Sequence, residues 1–138
     1  MSRSGATGAG AGRRTGAPRP VLLAVDDEPG ILAALQRTLR REGYEIVAVD
    51  SVPAALRTLR ERGVDLLLTD HKMPSASGLD LIREVVSHWP EIPCFLLTGW
   101  AGEIDLDEVR RLGVRALIPK PWDDAELKAT LREALPGG

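Results

Sequence analysis

At 138 residues and 14.9 kDa the chain has the length of one domain, and its 43% apolar and 28% charged residues match ordinary globular usage, excluding collagen-like, coiled-coil-only and wholly disordered readings. Net charge is minus two, but Met1–Pro20 holds Arg3, Arg13, Arg14 and Arg19 with no acid; the 14 basic and 20 acidic residues beyond leave a body at minus six, which repels a phosphate backbone, so nucleic-acid binding by this chain alone is not expected. A single cysteine, Cys94, and no Cys/His cluster exclude an internal disulfide and a zinc staple, and the absence of a long apolar run or signal peptide predicts a cytoplasmic protein without membrane contact.

Residues 1–20, almost all Gly, Ala, Ser, Thr, Arg and Pro, cannot offset the entropy of ordering and are expected to form a disordered tail; residues 21–135 form the domain and 136–138 a flexible end. From Val21 onward, short apolar runs alternate with segments of 3.6-residue period, the pattern of buried parallel strands joined by crossover helices. Val21–Val25 is the first strand, and Pro29 opens a helix with Leu32, Leu35 and Leu39 on one face before Gly43. Tyr44–Val49 is the second strand; a helix from Ser51 or Pro53 turns Ala55, Leu56 and Leu59 inward and ends at Gly63; Val64–Thr69, nearly all apolar, is a central strand. After a loop from Asp70 to Ser77, Leu79, Ile82, Val85, Val86 and Trp89 keep helical spacing, and Cys94–Thr98 is the fourth strand. Asp105–Leu112, Ala116–Ile118 and Asp123–Leu135, capped by Asp123 or Asp124, complete five strand–helix units, with Pro119 marking the fifth strand as an edge. The expected fold is α/β: a doubly wound (βα)5 parallel sheet of order 2-1-3-4-5, flavodoxin-like, with ligands beyond the carboxyl ends of strands one and three.

Those strand ends carry Asp26-Asp27-Glu28, Asp70, Thr98 and Lys120. Carboxylates about 4 Å apart repel by several kcal/mol near a surface, so a positive partner is required, and a hard divalent cation with oxygen ligands such as Mg2+ fits. Asp26, Asp27 and Asp70 against Lys120 and a dication make a neutral pocket, able to accept the extra charge of an acyl phosphate on Asp70 with Thr98 as a hydrogen-bond donor.

The ordered motifs Val25-Asp26-Asp27-Glu28, Thr69-Asp70-His71-Lys72-Met73-Pro74 with Gly78, Leu97-Thr98-Gly99 and Lys120-Pro121-Trp122 closely resemble the receiver domain of bacterial two-component response regulators, the superfamily of the chemotaxis regulator CheY, over roughly Val21–Leu135. The resemblance implies that Asp70 is the phosphoacceptor, taking its group from a histidine kinase or histidine phosphotransfer protein. It implies that Asp27 and Asp70 ligate Mg2+ with the main-chain carbonyl of Lys72, that Asp26 acts through water, that Thr98 is the switch hydroxyl and Lys120 the phosphate-pairing lysine, and that the Lys120-Pro121 bond is cis. It further implies a signalling domain that promotes its own phosphorylation and dephosphorylation rather than an enzyme. Output is expected through the face of the fourth helix, fifth strand and last helix, where Arg110, Arg111 and Arg115 cluster, toward an effector or a homodimer partner.

Leu117 stands where the family often has an aromatic rotamer switch, and Trp100 and Lys72 are expected to tune the lifetime of the acyl phosphate. His71 is expected to be an exposed loop residue, His88 a helix-end residue, Cys94 a small buried hydrophobe, Met73-Pro74 a loop-shaping pair, and Trp122 either packed beneath the last helix or part of a partner patch. An aspartyl phosphatase would want an acid where Lys72 stands, and a mononucleotide binder would not place Asp26-Asp27-Glu28 in its first loop. The remaining alternative is a pseudo-receiver acting as a phosphorylation-independent protein-interaction scaffold. Stand-alone regulator and receiver part of a longer protein are both compatible with the sequence.

Overall fold

Continuous apolar runs bury strands on both faces, and in the computed structural model, which describes residues 19–99 and 104–135, every residue of the first, third and fourth strands is buried. The elements in chain order are β1 (Val21–Val25), α1 (Pro29–Leu39), β2 (Glu45–Val49), α2 (Val52–Glu61), β3 (Leu66–Asp70), α3 (Gly78–His88), β4 (Cys94–Thr98), α4 (Leu106–Leu112), β5 (Ala116–Pro119) and α5 (Asp124–Glu133). The sheet is parallel throughout, ordered β2-β1-β3-β4-β5. This is the expected doubly wound α/β arrangement, with Pro119 on the edge strand. The sequence expectations for the tail, Trp100 and the last three residues fall partly or wholly outside the described residues.

Alternation along the strands divides the core into two layers. Leu22, Ala24, Leu66, Leu68, Phe95, Leu97 and Ile118 meet Leu35 and Leu39 of α1 and Leu127 and Leu131 of α5. Leu23, Val25, Leu67 and Leu96 face the other way, against Ala55 and Leu59 of α2, Leu79, Ile82 and Val85 of α3, and Val109 of α4. Burying a leucine contributes roughly 1.5–3 kcal/mol, so these two layers dominate the stability of the domain.

Several element ends differ from the sequence expectation. β2 begins at Glu45, not Tyr44, and β3 runs from Leu66 to Asp70, not from Val64 to Thr69. The entry to β3 is set by Asp65, whose carboxylate accepts from the Val21 N–H at 2.7 Å while its own N–H donates to the Val21 carbonyl at 2.8 Å. In α3 the inward face is Leu79, Leu81, Ile82 and Val85, leaving Val86, expected inside, 37% exposed. Ser51, Asp105 and Asp123 are caps just outside their helices, each side chain accepting from a first-turn backbone N–H. α5 ends two residues early in tight i→i+3 bonds from Ala134 and Leu135.

Candidate functional site

Parallel topology delivers the ends of β1, β3, β4 and β5 to one rim, where backbone bonds between strands hold Asp26, Asp70 and Lys120. Asp26 follows β1 and is fully buried; its N–H donates to the Val49 carbonyl at 3.1 Å, and its Oδ1 accepts from the Glu28 N–H at 2.9 Å, so the turn into α1 aims the carboxylate. Asp70 ends β3, 5% exposed, and the next residue, His71, continues the ladder by donating its N–H to Leu97 at 3.1 Å. Thr98 closes β4, buried, and its carbonyl accepts from the Lys120 N–H at 2.9 Å, which carries Lys120 off the end of β5.

These side chains converge. Carboxylate oxygens of Asp26, Asp27 and Asp70 lie within 4.8 Å of one another, with Asp27 exposed and the other two buried. Lys120 Nζ stands 3.1 Å from Asp70 Oδ1, 3.3 Å from Asp26 Oδ2 and 3.6 Å from a Glu28 oxygen. Asp27, Glu28, Asp70, Thr98, Gly99 and Lys120 line an open cavity of about 420 Å³, together with His71 and Lys72. The structure thus brings Asp26, Asp27, Asp70, Lys72, Thr98 and Lys120, far apart in the chain, to one rim. The Lys120-Pro121 peptide is cis, as the resemblance implied.

The electrostatics are unbalanced by one or more negative charges. Two carboxylates near 4.8 Å repel by on the order of 3 kcal/mol at an effective dielectric of about 20. Burial, reinforced by the charge of Asp70, holds the Asp26 carboxyl above its usual range, although the Glu28 N–H and Lys120 work against this. Burial opposes the Lys120 ammonium, but its hydrogen bond to Asp70 and the charges of Asp26 and Asp70 outweigh that penalty and raise its pKa. An all-oxygen donor set with excess negative charge, one exposed member and solvent access is the chemistry a hard dication requires.

Two motif residues named in the sequence take roles that the sequence did not assign to them. Gly78 lies so close to the end of β3 that a Cβ there would sit 2.2 Å from the Asp70 carbonyl oxygen and 2.8 Å from Leu96 Cδ1; only glycine lets α3 start beneath the aspartate. Glu28 faces Lys120, and its place directly after two aspartates was the available signal. His71, expected exposed, is half-buried on the cavity wall, and its Nδ1 is buried without a hydrogen-bond partner among the described residues. Leu117 is half-buried and packs toward the α2–α4 layer. Cys94 is buried, which pushes its thiol up to about 12, as suits a core residue. Trp122 packs against the α1–α5 layer.

Comparison with known proteins decides the family. The model of the response regulator receiver domain matches residues 22–132. The chain belongs to the response regulator receiver family. It is 34% identical over 114 residues to the transcriptional regulatory protein GlrR of Escherichia coli K12, covering 83% of this chain and 26% of that protein. It is 32% identical over 117 residues to the sensory transduction protein RegX3 of Mycobacterium bovis, covering 85% of this chain and 51% of that protein. The receiver thus spans about a quarter to a half of the curated relatives it matches. Among solved structures it superposes on the signal receiver domain of an HD domain-containing protein from Pseudomonas fluorescens Pf-5, with TM-score 0.81, 30% identity, and 92% and 93% coverage of the two chains. It also superposes on the response regulator TrrA of Thermotoga maritima in complex with Mg2+ and BeF, with TM-score 0.77, 28% identity, and 84% and 99% coverage. No described helix of this receiver is long and apolar enough to cross a membrane.

Proposed function

We propose that this receiver relays a signal by accepting a phosphoryl group on Asp70 from the phosphohistidine of a histidine kinase or histidine phosphotransfer protein. The observation that carries the reading is the meeting of Asp26, Asp27 and Asp70 with the Lys120 ammonium, 3.1 Å from Asp70 Oδ1, at the wall of a solvent-open cavity. An Asp70 carboxylate oxygen attacks phosphorus in line, the P–N bond of the donor breaks, and the imidazole leaves with the bonding electrons. A carboxylate nucleophile has no proton to give up, so the step needs no general base. Lys120 pairs with charge on the transferred group, and the Thr98 hydroxyl, at the cavity wall, donates to a phosphoryl oxygen. Mg2+ would be held by Asp27, Asp70 and the Lys72 main-chain carbonyl, with Asp26 acting through water, and would supply charge neutralisation of the phosphoryl oxygens.

In this reading the domain is a cytoplasmic phosphoacceptor that promotes its own phosphorylation and dephosphorylation rather than an enzyme with a separate substrate. Replacing one carboxylate charge by about two phosphoryl charges redistributes the pull on Thr98 and Lys120, and the response travels to the surface of α4, β5 and α5, where an effector or a second receiver docks. Arg110, Arg111 and Arg115 are exposed there. DNA binding is not assigned to this domain, whose body carries excess acid.

Intact-mass measurement after incubation with acetyl phosphate and Mg2+ tests the reading. The wild-type protein is expected to gain one phosphoryl group and Asp70→Asn none. An unmodified wild-type mass would leave a phosphorylation-independent scaffold in its place.

A further inference from the structure

Lys120 leaves β5, the edge strand, yet its ammonium reaches Asp70 at the end of β3 and Asp26 at the end of β1. With parallel neighbours about 4.8 Å apart, β3 is two rows and β1 three rows away, roughly 10 and 14 Å, a distance that the extended lysine stem, the aspartate side chains and contacts of 3.1 and 3.3 Å together only just close. The placement of the backbone after β5 therefore decides whether the ammonium meets both carboxylates. Trp122 packs this segment against the α1–α5 layer, between two cavities. On one side lies the site cavity; on the other, Ile31, Ala34, Thr38, Trp122 and Asp124 line a second cavity of about 590 Å³, and Lys120 borders both.

What spans this gap is a two-bond chain. The Trp122 indole N–H donates to Thr38 Oγ1 of α1 at 3.2 Å, and the Thr38 hydroxyl donates to Asp124 Oδ1, the first residue of α5, at 3.1 Å. Thr38 so clamps the segment from its middle and its end, 84 and 86 residues away in sequence. We propose that Thr38 and Trp122 are positioning residues: their hydrogen bond ties the segment that follows β5 to α1, and hence sets where the Lys120 ammonium stands relative to Asp70. The inference rests on the phosphoacceptor reading above and extends it to residues outside the cavity. Neither lines the site cavity with Asp27 and Asp70; both act through Lys120.

The test compares Thr38→Val and Trp122→Phe, which keep bulk and remove the hydrogen bond, with Thr38→Ser, which keeps the hydroxyl. Each purified full-length variant is checked for the wild-type circular dichroism spectrum and thermal midpoint, then assayed for the rate of phosphorylation by acetyl phosphate and for the dissociation constant of Mg2+ alone. Expected are rates lowered about threefold to tenfold in Thr38→Val and Trp122→Phe, a rate within twofold of wild type in Thr38→Ser, and Mg2+ affinity within twofold throughout, since the metal ligands are carried by β1 and β3. Wild-type rates in both bond-deleting variants, or equal slowing in Thr38→Ser and Thr38→Val, would overturn the positioning role. A wild-type protein that takes up no phosphoryl group would sink the phosphoacceptor reading itself, and the positioning role with it.

Discussion

Asp26 has no solvent exposure, and the buried Asp70 carboxylate stands beside it. Its folded pKa is raised, by burial first, so the folded state binds protons more tightly here than the unfolded chain. The sign follows: this contribution to stability is full below the ordinary carboxylate range and is lost as pH rises through the raised folded value. Asp26→Asn keeps an Oδ1 acceptor for the Glu28 N–H, and Lys120 retains Asp70 and Glu28 as partners. In magnesium-free buffer at neutral pH the variant is predicted to be more stable than wild type by about 1 kcal/mol, a gain of roughly 4 °C in melting temperature, and the gap should close as pH is lowered. Thermal melts across pH check this; equal stability at neutral pH would contradict it. Gly78 makes the opposite point about what a sequence reveals. It was visible as part of a motif, but its reason, the approach to the Asp70 carbonyl, depends on where α3 starts relative to β3. Gly78→Ala should cost about 1–3 kcal/mol in urea unfolding through overpacking against the Asp70 carbonyl, and no loss would mean the β3–α3 junction is slack.

Among the elements, α3 is the one most firmly tied at its start. Ser77 and Asp80 form a reciprocal capping box at 3.1 and 2.9 Å, and Asp80 also receives Arg83, whose guanidinium continues to Glu108 on α4. The exposed ion pairs contribute little on their own, whereas the cap satisfies helix N–H groups directly. Ser77→Ala is therefore predicted to lower stability by about 1 kcal/mol, read as a shifted denaturation midpoint with an unchanged slope; an unshifted midpoint would remove the cap from the account. The existence and order of the elements were legible because buried strands read as unbroken apolar runs and helices as 3.6-residue patterns. Their ends were less so. Asp65 sets the start of β3 through a partner 44 residues away, and no local pattern distinguishes Val86, which faces out, from Val85, which faces the core.

For the molecule as a whole, strand order carries the function: placing β1 beside β3 puts Asp26 and Asp27 next to Asp70, and this was readable because parallel sheets bind at the point where their winding reverses. The half-burial of His71 and the bond between Trp122 and Thr38 were not readable, since both depend on how loops settle over the finished sheet rather than on spacing along the chain. Crowded acids at this rim call for a dication, and calorimetric titration of the protein with MgCl2 at neutral pH is the decisive check. One-site uptake is expected in the wild type, weakened about tenfold or more in Asp27→Asn and in Asp70→Asn; a wild type that takes up no Mg2+, or full affinity in both variants, would mean the acids hold no metal.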